Sequence, residues 1–302
     1  MKYKLRSQIS ENQIEADIAS YLGYITPIWA RRYRLLSVDE QTTGADKLFH
    51  RFLLIYMQFK VSQGLQPPKP IFTGLAESSL AKIIRFRRQN DLSGDPILYF
   101  QLRRQAKTAN NLQHNILFGL NRPPEQISLY VAPLTLNIGD YEHALNSDWF
   151  MRFYPFDPFF HRELQIHDSE TRRNVLLGGS PFLRNHISIP PHKRADTYNH
   201  HYSYSQSGGD VAWHGGELLS GDFRLSTQLS IIMNYLYNNR QAGMQVEQFA
   251  DFITAISREY NLSDLVGVND NSRYLISRFA RVLRENYGIR LLILAQTDGD
   301  QY

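Results

Sequence analysis

Phe52-Leu53-Leu54-Ile55-Tyr56-Met57-Gln58-Phe59-Lys60-Val61-Ser62 is the stretch on which the reading of the fold turns. Side chains alternate between the two faces of a strand. Leu53, Ile55, Met57, Phe59 and Val61 therefore share one face, apolar throughout. Phe52, Leu54 and Tyr56 begin the other face, which then switches to Gln58, Lys60 and Ser62. A strand apolar on both faces at its start is a central strand covered on both sides. An amide beside an ammonium near its end is costly unless solvent or a ligand needs them there. Two readings stand at this point: the strand leaves the core and both groups reach water, or the pair belongs to a site.

Upstream, Ser10 and Gln13 make an S-x-x-Q capping box, with Ile9 and Ile14 spaced as a hydrophobic staple. Ile14, Ile18, Tyr21, Leu22 and Ile25 recur at helical spacing until Gly23 and Pro27 close the helix. Glu15 borders this face and Glu11 lies over it in the first turn, where acids also complement the helix dipole. Residues 33–38 and 45–49 predict two short strands before the central one, with Asp46 at the mouth of the second.

Downstream, residues 63–74 form a Pro/Gly-rich linker, followed by a helix over 77–87. That helix carries the densest basic cluster, Lys82, Arg85, Arg87 and Arg88, which is either a solvated face or a set of phosphate contacts for nucleic acid. Strands over 97–102 and 127–132 flank a helix over 108–120, in the order of a βαβ unit. Beyond Asp140 the character shifts to an aromatic, His-rich segment, 141–225, in which 203–216 reads as a mobile loop. His186, His192, His200, His201 and His214 follow no known zinc-ligand spacing. Residues 226–302 are mainly helical and close with a strand over 289–294.

The 302 residues, 42% hydrophobic and 21% charged, suit a soluble globular protein of about two domains. No run reaches the ~18 apolar residues of a membrane span, and no apolar signal region follows Met1 to Arg6. The absence of cysteine excludes disulfides and thiolate metal sites and agrees with a cytoplasmic location. A net charge of +4 permits a nucleic-acid partner without requiring one. There is no P-loop, GxGxxG, HExxH or GxSxG motif.

Glu on a first helix, Asp46 entering a strand and Gln58-x-Lys60 on the next resemble the PD-(D/E)XK superfamily of restriction-endonuclease-like nucleases, in its Q-x-K subset. The resemblance covers about 130 residues. Gln58 replaces the usual acid, and Ala45 the usual proline. It implies an α/β fold with a restriction-endonuclease-like core (helix, three strands, helix, strand) over 1–140 and an accessory, α-rich C-terminal region over 141–302. It implies Asp46, Gln58 and Glu15 as ligands of Mg²⁺ or Mn²⁺, and Lys60 as the residue assisting the attacking water. The implied activity is metal-dependent DNA endonuclease cleavage in restriction or phage defence, with DNA as partner and a homodimer or defence-system subunits as further partners. The alternative is a catalytically inactive nuclease-fold subunit that binds nucleic acid or a protein.

Overall fold

The computed structural model describes residues 4–25, 33–38, 51–66, 79–92, 94, 96–107, 109–152, 165–168, 173–176, 181–214, 216–239, 241–262, 265 and 271–296. In chain order the elements begin with β1 (Lys4–Leu5), α1 (Glu11–Ile25), β2 (Tyr33–Ser37), β3 (Phe52–Phe59), β4 (Gln63–Leu65), α2 (Ser79–Gln89) and β5 (Ile97–Gln101). There follow α3 (Gln113–Leu120), β6 (Gln126–Pro133), α4 (Ile138–Arg152), β7 (Gln165–Asp168), β8 (Arg173–Leu176), α5 (Pro181–Arg184) and β9 (His186–Ile189). The last are β10 (His201–Tyr204), β11 (Val211–Trp213), β12 (Glu217–Leu219), α6 (Leu225–Asn238), α7 (Val246–Glu259), α8 (Ser272–Tyr287) and β13 (Arg290–Gln296).

These elements make a mixed α/β protein with two main sheets and a small β7–β8 hairpin. A five-stranded mixed sheet has the order β2-β13-β3-β6-β9. In it β3 runs parallel to β6, with Met57 opposite Leu129, and antiparallel to β13, with Ile55 opposite Leu292. A six-stranded antiparallel sheet has the order β1-β4-β5-β10-β11-β12.

The alternation along β3 sorts its side chains into two cores. Leu53, Ile55, Met57 and Phe59 pack with Ile14, Ile18 and Leu22 of α1 and with Leu229, Ile232 and Leu236 of α6. Phe52, Leu54 and Tyr56 face the other way, toward Phe100, Tyr202 and Trp213 of the second sheet and Phe249 and Phe279 of α7 and α8. Helices thus cover one face of the five-stranded sheet; the second sheet and further helices cover the other. Each fully buried large apolar side chain contributes on the order of 1.5–3 kcal/mol, so the two-sided cover holds β3 in place. At the start of α1 the Ser10 hydroxyl accepts the Gln13 amide at 3.1 Å. The Gln13 side chain donates forward to Asp17 instead of accepting from the Ser10 N–H, so the capping box is half made.

Several expectations from the sequence are corrected. Gln58 and Lys60 do not reach bulk water; they are 0% and 6% exposed, because the second sheet and α3 continue over the polar end of β3. The boundary expected at residue 140 separates neither sheet, since strands from both sides of it build each one, and β13 lies between β2 and β3. The C-terminal region is therefore part of the core sheet rather than an accessory to it. The strands over 97–102 and 127–132 do not share a sheet: β5 pairs with β4 and β10, while the parallel partner of β6 is β3. Residues 211–213, read as loop, form β11, whose Val211, Ala212 and Trp213 are all buried. The strand expected over 45–49, with Asp46, lies outside the described residues.

Candidate functional site

Where β3 leaves its sheet, a cavity of about 870 Å³ opens between α1, the second sheet and the α8–β13 junction. Because Ile14 and Ile18 turn one face of α1 into the core, Glu11, Asn12 and Glu15 are carried on the flank that borders this opening. Lys60 and Val61 enter at the end of β3, and Gln63 on β4. Tyr99, Gln101 and His201 come from β5 and β10; Arg284, Gly288 and Arg290 come from the end of α8 and the start of β13.

Two of the sequence-derived site residues, Glu15 and Lys60, line this cavity together. The Glu15 carboxylate is engaged: its Oε1 accepts from Arg290 Nε at 2.8 Å and lies 2.7 Å from Arg290 Nη2. The Lys60 backbone extends the parallel ladder, its N–H donating to Val131 O at 2.8 Å. Its ammonium reaches Gln113 Oε1 of α3 at 3.4 Å and sits 5.9 Å from the centre of the Tyr130 ring. Burial lowers the Lys60 pKa to about 8; the Glu11 carboxylate opposes that shift and Arg103 adds to it.

Gln58 lies beneath, wholly buried. Its Nε2 makes only a long contact, 3.5 Å, to Phe59 O, and its Oε1 has no hydrogen-bond partner. An unsatisfied buried acceptor costs about 1–3 kcal/mol, a cost that a donor or a cation would offset. Gly288, in the left-handed conformation at φ 62°, caps α8 directly above. A Cβ there would stand 2.6 Å from Arg103 Nη1 and 3.8 Å from Gln58 Nε2, so glycine lets the Arg103 guanidinium lie against the helix end.

The charges around the cavity are unbalanced. Lys4, Lys60, Arg103, Arg284 and Arg290 face Glu11 and Glu15 among the described lining residues. His201 at its wall is 2% exposed. Burial holds its pKa down at about 4, with His200 and Lys4 pushing the same way. Such an arrangement has the donors to hold an anion carrying several oxygens.

The basic helix α2 divides. Lys82, Arg85 and Arg88 are exposed, whereas Arg87 is 1% exposed and turned inward. It ion-pairs with Asp210 and donates to Ser203 Oγ at 3.4 Å, and that hydroxyl lies 2.7 Å from His214 Nε2. Arg87 is therefore a structural cation between α2 and the second sheet, which removes it from the expected nucleic-acid contacts. Of the histidines in 186–214, His186 and His200 are packing groups: His200 stacks on Trp213 at 4.8 Å, and His186 Nδ1 lies 2.7 Å from Phe182 O. Among the described residues no three His, Cys, Asp or Glu side chains are grouped to hold a metal ion.

Sequence reasoning missed Arg103, His201, Arg284 and Arg290 as cavity residues. Each is brought in by pairing between distant elements, and no local pattern marks it. Glu11 was the exception, legible from its place over the face of α1. No protein-family model, curated protein or solved structure matches the chain.

Proposed function

We propose that the protein is a phosphodiester hydrolase acting on nucleic acid, of the restriction-endonuclease-like type, with this cavity as its active site. One observation carries the reading: Glu15 from the first helix and Lys60 from the central strand line one positively charged cavity. The parallel pairing of β3 with β6 after α1 and β2 further supports that core, which β4, α2 and β5 interrupt between β3 and α3.

The metal implied by the resemblance finds a partial fit. The unpartnered, buried Gln58 Oε1 is a suitable neutral oxygen ligand for Mg²⁺ or Mn²⁺. Glu15, engaged by Arg290 through one oxygen, would be the second donor, and Asp46, outside the described residues, the third that the resemblance implies. Such an ion, when bound, supplies an activated water and charge relief at the leaving oxygen. The chain's own residues do the rest. Lys60, itself 6% exposed, presents an ammonium to the charge that builds on the phosphate. Arg103 and Arg284 hold the substrate anion at the mouth, and Arg290 fixes the Glu15 carboxylate. The second reading, a nucleic-acid-binding protein without hydrolysis, is favoured by the Glu15–Arg290 ion pair and by the neutral Gln58.

The experiment is a cleavage assay over DNA and RNA with Mg²⁺ or Mn²⁺, with Lys60→Ala and Asp46→Asn beside the wild type. Metal-dependent cleavage lost in both variants is expected. Binding without cleavage across all substrates and metals would select the second reading.

A further inference from the structure

The outward side of α8 is a row of arginines that ends at the cavity. Leu275, Ile276, Phe279, Leu283 and Tyr287 bury the inward face of this helix. Arg273, Tyr274, Arg281 and Arg284 are exposed and Arg278 is half-buried, so every cation of the helix sits on its open side. Glu285 is the one carboxylate among them. At 3.6 residues per turn, Tyr274, Arg278, Arg281 and Arg284 fall within an arc of about 120°, and at 1.5 Å per residue they span about 15 Å. Arg284 lines the cavity, so the row runs into its mouth. Tyr274, at the far end, is 56% exposed, a large aromatic surface left in water beside guanidinium groups.

We propose that a single nucleic-acid strand lies along this face of α8 and enters the cavity end first, seating its terminal nucleotide beside Lys60 and Arg103. The inference rests on the nucleic-acid reading above and specifies its substrate as a single-stranded end. Arginines at one-turn spacing neutralise successive phosphates, and an exposed tyrosine offers a base a stacking face without regard to sequence. Among the described residues, the row on α8 runs into the cavity through Arg284, whereas the basic helix α2 meets it with the apolar Leu80. A duplex presents two backbones across a major groove of about 12 Å, and this row matches only one. The cavity, about 870 Å³, lies in the ~300–1,000 Å³ range of pockets that enclose a drug-sized molecule. A nucleotide is of that size. The side chains of Tyr99, Gln101 and His201 supply an aromatic edge and polar groups for a base, while Arg284 and Arg290 enter from α8 and β13.

The test measures binding with a chelator present, so that it does not depend on hydrolysis. Fluorescence anisotropy compares a short linear single-stranded DNA, the same sequence as a circle, and its blunt duplex. The proteins are the wild type, Arg278→Gln/Arg281→Gln, Tyr274→Ala, and a control on α2, Lys82→Gln/Arg88→Gln. The expected order of affinity is linear strand, then circle, then duplex. The α8 double variant should bind the strand about tenfold more weakly, with a log–log salt slope shallower by about 1.4, two phosphate contacts at ~0.7 each. Tyr274→Ala should lose about tenfold. All substituted side chains are exposed or half-buried, and circular dichroism verifies that the fold is kept.

Duplex or circle bound as tightly as the linear strand overturns the end-first mode. So does an α2 control that costs more than the α8 variant, or no binding to any of the three DNAs. Strand binding through α8 with no cleavage under Mg²⁺ or Mn²⁺ keeps this inference and removes hydrolysis. Full-rate cleavage of closed duplex by the α8 variant keeps hydrolysis and removes the inference.

Discussion

Arg290, the first residue of β13, grips Glu15 of α1 through two of its nitrogens, at 2.8 and 2.7 Å from a single carboxylate oxygen. Their side chains are 14% and 27% exposed, so the pair is neither a surface contact nor a sealed one. Exposed pairs are worth about 0.2–1 kcal/mol, and breaking a buried pair on one side costs about 3–5 kcal/mol. Arg290→Ala should fall between, near 1–2 kcal/mol, with Glu15→Gln costing less because an amide still accepts from the guanidinium. Urea unfolding of both single variants and of the double variant measures the coupling. Strictly additive losses would show that the contact contributes nothing of its own.

Lys60→Ala is expected to lower the rate of hydrolysis by about a hundred- to a thousandfold, the loss typical of one preorganised charge. The same residue sets a pH dependence. It keeps its proton below about 8, and the charged form serves the phosphate, so kcat/KM should fall as pH rises through about 8. A rate that climbs through that range instead would make Lys60 a base rather than a cation.

The stability consequence of Lys60 has the opposite sign. Its folded pKa, about 8, lies below the ordinary 10.5, so between these values the unfolded chain binds more protons and stability rises with pH. Lys60→Met removes that rise and spares the cost of a buried ammonium. Denaturant midpoints at either end of the window test it; a slope unchanged in Lys60→Met would place the charge effect elsewhere.

Acid should unfold the protein early. Burial depresses His114, His186 and His201 to about 4 and His214 to about 3, each from an ordinary 6.5. Groups with depressed pKa stay neutral when folded and take up protons when unfolded. Their stabilising effect is complete above 6.5 and is lost as pH falls toward 4. A melting temperature unchanged between pH 7 and pH 5 would contradict the burial of these rings.

Gly288→Ala puts a side chain where φ is 62° and where Arg103 lies within 2.6 Å. The left-handed conformation costs a non-glycine residue about 1–2 kcal/mol, and the Arg103 tip must move off the helix end. We expect that destabilisation together with weaker strand binding, whereas Arg103→Gln should weaken binding alone. Thermal melts paired with anisotropy separate the two effects.

Local patterns made part of this legible in the sequence. The alternation in 52–62 assigns the faces of β3, and the spacing of Ile14, Ile18 and Leu22 orients α1; that Glu15 and Lys60 share a site was implied by the resemblance alone, and both line the cavity. Of the second sheet only β5 was legible, in the apolar run 97–102. His201-Tyr-Ser-Tyr204 of that sheet, like His186-Ile-Ser-Ile189 at the edge of the first, buries histidine and serine, so neither has the apolar alternation of an ordinary strand. What buries Gln58 and Lys60 is Gln113 on α3, the Gly288 turn and that second sheet, all placed by long-range pairing. Arg87 shows the converse: it reads as one of four surface cations until Asp210, far along the chain, is brought to it.

The position of β13 has a consequence in time. β2 and β3 are not hydrogen-bonded to each other; each pairs with residues 290–296. While the chain is being synthesised, β3 can gain α1 and β6, but one edge stays unpaired until β13 has left the ribosome. An open strand edge with apolar faces invites pairing with other chains, and contacts this distant in sequence form slowly. Newly made protein should therefore pass through an aggregation-prone interval that ends when β13 closes the gap, and a chain cut before residue 290 would never leave it.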